Sequence, residues 1–440
     1  MKKSMILVLC SLLLWACSTS KETLSQAENM DALAERYVKA LLQLGQYDSD
    51  IVDAYYGPEE WKPAPLAQDN KGLDSLTANR LLQEFTDIQQ SLRNYPTDTL
   101  EEMEKQRLEM FQKQVLAAKT KVELMQGKVL SFDQEAQLLY DATPPHYSQA
   151  YFDSLLKDID KALPGKGSLP ERWTAYRTRF EIPKDKLDTV FRAAIAEARK
   201  RTKKHYNLPP GENFRVEYVT DKPWSGYNYF QGNGYSLIQL NTDFPIYIER
   251  AIDLACHEGY PGHHVFNALL EQKLVNELGW KEYSIYPLFS PQSLIAEGSA
   301  NYGIEVAFPG EERLAFEKEV LFPLAGLNAA EAGQYYSLLA KIKQLDFAGN
   351  EAARLYLDGK MSREDAADWL VKYNFYDKGK ALQRTQFFDR YRSYVINYNL
   401  GQKLVRQYVE AHGGTADHPE KRWEVFQEIL SAPHTASMLE

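Results

Sequence analysis

The sequence predicts a mainly α protein with one small β-sheet near the middle of the chain. Three observations predict it. Apolar residues recur at helical spacing along most of the 440 residues. β-rich, alternating stretches occur in one region only, within residues 214–240. Hydrophobic residues at 44% and charged residues at 25% are globular proportions, which exclude a disordered, collagen-like or rod-like chain.

The elements follow in chain order. Lys2 and Lys3 precede an apolar run over residues 5–16, shorter than the roughly 20 residues that span a bilayer. The run has the length of a signal-peptide core. It ends Leu14-Trp15-Ala16-Cys17, which resembles a bacterial lipobox. The resemblance implies cleavage before Cys17 and lipid on its thiol and new amine. Residues 1–16 are then a signal peptide, and the polar residues 17–29 a tether to the membrane. The implied address is the cell envelope, in the periplasm or at the outer-membrane surface. Loss of residues 1–16 removes two lysines and moves the net charge from −10 to −12. An acidic chain is not built for nucleic acid, because phosphate binding needs a basic surface. Of Cys10, Cys17 and Cys256, only Cys256 stays in the folded body, so no disulfide framework can form.

Residues 30–44 place Leu33, Tyr37, Leu41 and Leu44 on one helical face. Residues 99–126 read as one long charged helix, and residues 147–163 and 184–205 continue the pattern. Breaks fall at Gly57-Pro58, Thr143-Pro144-Pro145, Pro164-Gly165 and Pro209-Pro210-Gly211. Residues 30–210 thus form an N-terminal helical part. Residues 214–219 and 235–240 are strands, with the turn-rich residues 224–234 between them. Helices then resume over residues 313–321, 329–345, 363–373, 382–398 and 423–430. Residues 211–440 carry the chemistry and are read as one continuous unit with residues 30–210. Thr242-Asp243 with Pro245 is a helix start without chemistry.

The chemistry is concentrated. His257-Glu258-Gly259-Tyr260-Pro261-Gly262-His263-His264 holds three of the eight histidines. Glu297 follows 33 residues after His264, among the apolar or small residues Leu294, Ile295, Ala296, Gly298 and Ala300. A carboxylate in such a stretch is buried and needs a partner. Hydrolysis at a zinc ion needs neutral imidazoles, a carboxylate ligand and a second carboxylate as base. In His-Glu-x-x-His, both histidines sit one turn apart on a helix. Here the i+4 position is Pro261, which binds no metal. Two geometries restore a site: Pro261-Gly262 widens the helix and His263 swings back, or the helix runs on and His264 returns at i+7. The second spans about 10.5 Å of rise, so His263 is preferred and His264 is the alternate second histidine ligand.

The motif His257-Glu258-x-x-Pro261-Gly262-His263-His264, followed by Glu297-Gly298-x-Ala300, resembles the bacterial family called domain of unknown function 885. Residues 35–38, 44–45 and 52–61 look like its N-terminal signature. Residues 361–366 and 398–402 look like its C-terminal part, so the likeness covers nearly the whole mature chain. The family is similar in design to the helical gluzincin peptidases of the carboxypeptidase Taq and angiotensin-converting-enzyme types. The resemblance implies a gluzincin-like metallopeptidase with one zinc ion. It implies His257 and Glu297 as metal ligands, Glu258 as general base, and a Gly-His pair at Gly262-His263. A C-terminal tyrosine as oxyanion donor points to Tyr398. Asn301, one turn after Glu297, is placed to hold a ligating histidine from behind.

The expected function is a zinc-dependent hydrolase of peptide bonds, anchored in the envelope. Residues 235–240 are a candidate edge strand for an extended peptide. Arg390 and Arg392 are candidates for a substrate carboxylate. The alternatives are a catalytically inactive metal-binding lipoprotein and a glycan-binding surface lipoprotein.

Overall fold

The computed structural model describes residues 29–67, 72–222 and 224–440. The signal peptide, Cys17 and the tether up to residue 28 lie outside the described residues. Helix makes up 66% of the structure and strand 7%, so the fold is mainly α. The first half holds α1 (Met30–Gly45), α2 (Ser75–Arg93), α3 (Glu102–Met125), α4 (Phe132–Tyr140), α5 (Gln149–Ala162), α6 (Leu169–Arg177) and α7 (Leu187–His205). Around the histidine motif come α8 (Glu249–Leu254), α9 (His263–Leu270) and α10 (Pro291–Ala307). The rest is α11 (Gly310–Phe316), α12 (Phe322–Ala325), α13 (Ala332–Lys343), α14 (Ala348–Leu357), α15 (Arg363–Asn374), α16 (Lys378–Tyr391), α17 (Ile396–Ala411), α18 (Pro419–Ser431) and α19 (Ala436–Leu439). The long α3 and the amphipathic α1 match the sequence expectation. Helix α2 is an addition, started where the Asp74 carboxylate accepts from Leu76 N and Thr77 N at 2.9 Å each. Buried apolar side chains form one continuous cluster from Met30 to Leu439.

The strands are β1 (Val52–Tyr55), β2 (Asn213–Val219), β3 (Gly226–Phe230), β4 (Tyr235–Asn241) and β5 (Ile285–Pro287). The expected sheet runs in the order β2-β4-β3, with β4 parallel to β2 and antiparallel to β3. Strand β4 is therefore central, which corrects the expectation that residues 235–240 offer an edge to a peptide. The edge beside the histidine motif is β3. It hides in a stretch punctuated by Gly226, Gly232 and Gly234, which reads as turn. A second pairing, β1 with β5, ties residues of the N-terminal part to the segment leading into α10.

Two local features aim side chains at the centre. Helices α10 and α17 cross backbone to backbone. A Cβ on Gly298 would sit 2.3 Å from Gly401 C, and one on Gly401 would sit 2.5 Å from Leu294 O. Glycine at both positions is what the approach demands. The second feature is a break where the sequence predicts one helix over residues 382–398. Arg392 takes a positive φ of 50°, and the chain restarts as α17. The buried Glu135 carboxylate holds the break. It accepts from Arg392 Nε at 2.6 Å, Ser393 Oγ at 2.6 Å and Ser393 N at 3.1 Å. Tyr394 and Tyr398 are thereby turned toward α10.

Candidate metal centre

Helix α8 does not continue regularly through the motif. Tyr260 N donates to Ala255 O at 3.0 Å and Gly262 N to Cys256 O at 2.9 Å. These bonds span five and six residues, so the turn is wider than an α-helical one. Gly262 is needed for it, because a Cβ there would meet His257 O at 2.0 Å. The wide turn sets Pro261 against Gly303 of α10 and starts α9 at His263. The His257 and His263 rings then meet edge to face, with centroids 4.7 Å apart.

Glu297 arrives from α10. The ligand atoms of His257, His263 and Glu297 all lie within 4.8 Å of one another. His257 Nε2 is 3.2 Å from His263 Nε2 and 3.3 Å from Glu297 Oε2, and His263 Nε2 is 3.7 Å from Glu297 Oε2. Zinc bonds of 2.0–2.2 Å in a tetrahedron put ligand atoms about 3.3 Å apart. The triad has the spacing of one tetrahedral face. Glu297 Oε2 is buried and lacks a hydrogen-bond partner, which fits an atom reserved for a cation. Burial opposes ionisation of Glu297, yet the neighbouring His257 and His263 imidazoles hold its carboxyl well below the usual range. Burial lowers the His263 pKa, but Glu297 more than offsets this and the net direction is up.

The surroundings orient the triad. Asn301 Nδ2 donates to Tyr398 O at 2.9 Å, which leaves Asn301 Oδ1 to accept from His257 Nδ1 at 3.0 Å. His257 therefore carries its proton on Nδ1 and turns a bare Nε2 inward. Asn301 thus stands where the sequence put it. Tyr394 Oη donates to Glu297 Oε1 at 2.8 Å. Tyr398 lies one turn further along, its ring 5.8 Å from that of Tyr394. Its hydroxyl has no hydrogen-bond partner among the described residues, and burial first, then the Glu297 charge, pushes its pKa well up. It stays a neutral donor. The buried Glu258 sits against β3: Asn228 Nδ2 donates to Glu258 O at 2.7 Å, and a Cβ on Gly226 would be 2.8 Å from Glu258 Oε1.

His264 goes elsewhere. Its Nδ1 meets Ser236 Oγ at 2.9 Å and its Nε2 meets Glu212 Oε2 at 3.0 Å, with no exposed surface. Glu212 also accepts from Tyr260 Oη at 2.5 Å and Arg199 Nη2 at 2.8 Å. Burial raises the Glu212 carboxyl, but these bonds win and lower it to about 2. The structure does not bring His264 to the triad; adjacent residues on α9 point to different sides, so only one of the pair reaches it. Arg390 and Arg392 are also occupied, with Asp50 and Glu135. Neither is free for a substrate carboxylate. Arg384 on α16 is the cation whose charge reaches Tyr398.

One residue without a role in the sequence reading joins the site. Asp53 of β1 lines a cavity of about 60 Å³ together with His263, Glu297 and Tyr394. Burial pushes its carboxyl up to about 7, with His263 opposing and Glu297 reinforcing the shift. A larger cavity, about 830 Å³, lies between α7 and β2 and shares no lining residue with this one. Its basic rim is paired internally, Arg192 with Asp188 and Arg199 with Glu212.

No protein-family model matches the chain. No curated protein matches it. Solved structures match parts of the chain, one of them at the level of a shared fold. A candidate lipoprotein from Colwellia psychrerythraea is 15% identical, with a TM-score of 0.51 over 82% of this chain and 65% of that one. The chain thus spans about two thirds of that protein's length. A candidate lipoprotein of unknown function from Shewanella oneidensis is 14% identical, with a TM-score of 0.46 over 83% of this chain and 71% of that one. Among the described residues, no helix is long and apolar enough to cross a membrane.

Proposed function

We propose that the chain is a zinc-dependent hydrolase of peptide bonds, held at the cell envelope by lipid on Cys17. The observation that carries this reading is the donor set of His257, His263 and Glu297, spaced as one face of a zinc tetrahedron with a buried, unpartnered carboxylate oxygen. The resemblance to the family of domain of unknown function 885 and to gluzincins supports the same ligands. The lipobox-like Leu14-Trp15-Ala16-Cys17 supports the anchor, and the Colwellia psychrerythraea protein of similar fold is itself described as a candidate lipoprotein.

When bound, zinc supplies Lewis acidity toward water and the scissile carbonyl. The protein's own groups do the rest. Glu258 takes a proton from the attacking water at its carboxylate and delivers it to the departing amine. Asn301 fixes the His257 tautomer, and Tyr394 fixes the Glu297 carboxylate. The partnerless Tyr398 hydroxyl donates to the developing oxyanion. Edge strand β3, beside Glu258, pairs with an extended substrate. The test measures zinc content and hydrolysis of a peptide library for wild type and Glu258→Gln. The variant is expected to keep its zinc and lose about 100-fold or more in rate. Undiminished cleavage by Glu258→Gln refutes the mechanism, and zinc without turnover in the wild type favours a non-catalytic metal-binding lipoprotein.

A further inference from the structure

Asp53 has an unusual position. In the β1–β5 pairing, Val52 faces Pro287 and Ala54 faces Tyr286, with a register shift between them, so Asp53 is the extra residue of a bulge. Bulges re-aim side chains, and this one turns Asp53 into the cavity that also touches His263 and Glu297. The carboxylate makes no hydrogen bond or ion pair with any described residue. The charged groups acting on it are His263 and the carboxylates of Glu297, Asp50 and Glu258. Asp53 thus adds a third acidic group to Glu258 and Glu297, and no lysine or arginine among the cavity's lining residues meets it. The walls add Tyr56, Tyr227, Phe230 and Tyr286, aromatic faces that attract cations. The cavity is small, about 60 Å³. It has room for a small polar head such as an ammonium group.

We infer that Asp53 is a specificity residue that receives a primary ammonium group of the substrate, close to the bond that is cut. This rests on the peptidase reading and sharpens it to substrates with an amine beside the scissile bond. The amine is an α-amino terminus or a lysine side chain. Three probes separate these: tetra-alanine, its Nα-acetyl form, and Nα-acetyl-Ala-Ala-Lys-Ala. Binding is measured by calorimetry on zinc-loaded Glu258→Gln, with and without Asp53→Asn, and cleavage is measured on the Glu258 forms. An amine-bearing probe is expected to bind at least about tenfold tighter than Nα-acetyl tetra-alanine, as for a bond between charged groups. Asp53→Asn should erase that preference, and the loss should appear in KM for the amine-bearing probe. Preference for tetra-alanine assigns the α-amino group, and preference for the lysine probe assigns the side chain. Equal binding of all three probes, or a preference that survives Asp53→Asn, overturns the inference alone. Absence of both zinc binding and cleavage overturns the peptidase reading and the inference with it.

Discussion

Replacing Asn301 by alanine probes how the proposed centre is held. Asn301 Oδ1 accepts from His257 Nδ1 at 3.0 Å, and Asn301 Nδ2 donates to Tyr398 O at 2.9 Å. The second bond decides the first: an amide that donates to a carbonyl presents its oxygen to the imidazole. Alanine removes both. The His257 ring then loses the contact that keeps its proton on Nδ1, and Nε2 is no longer reserved for metal. Loss of such an outer partner costs about 10- to 100-fold in metal affinity, or about 1.4–2.8 kcal/mol at 1.4 kcal/mol per tenfold. Asn301→Asp keeps an acceptor toward His257 but sets its other carboxylate oxygen against Tyr398 O, so it is expected to retain more affinity than Asn301→Ala. The assay is competition for zinc against a chromophoric chelator, with circular dichroism to show that each variant is folded. A folded Asn301→Ala protein that binds zinc as tightly as the wild type refutes the reasoning.

Three further outcomes follow. His264→Ala removes a buried partner of Glu212 and Ser236 and should destabilise the fold by about 3 kcal/mol, read by urea denaturation. Glu212 is held at about 2 against an ordinary 4.5, a shift worth about 3 kcal/mol at 1.36 kcal/mol per unit. Because the folded pKa is the lower one, this stability is present above about pH 4.5 and is lost as pH falls through about 2. Glu212→Gln should flatten that acid limb, and an unchanged acid unfolding profile contradicts the assignment. Gly298→Ala sets a Cβ 2.3 Å from the Gly401 backbone, where neither helix can give way locally. It should lower stability by about 1–3 kcal/mol or more and weaken zinc binding by moving Glu297. A melting temperature equal to the wild type would show that α10 and α17 do not meet as closely as described.

Much of the site was legible in the sequence because it lies in two short segments. His257, Glu258 and Glu297 carry spacing and chemistry that a reader recognises. The second histidine was open because spacing alone does not say how Pro261-Gly262 bends a helix. The widened turn at Ala255 and Cys256, with Gly262 pressed against His257 O, answers that in favour of His263. Tyr394 was missed because its orientation depends on the break at Arg392. That break is stabilised by Glu135, more than 250 residues away in the chain. Asp53 was invisible for the same reason: its bulge exists only because β1 finds β5 across the fold. Strand β3 was read as turn because its glycines outweigh a short alternating stretch. Elements set by local periodicity, such as α1 and α3, needed no distant partner and were read close to their true ends.

The most direct measurement compares zinc bound by the wild type, His263→Ala and His264→Ala at one free zinc concentration, by elemental analysis after equilibrium dialysis. A centre built from His257, His263 and Glu297 predicts about one zinc per chain in the wild type and in folded His264→Ala, and almost none in His263→Ala. Zinc lost from His264→Ala but retained by His263→Ala would contradict it.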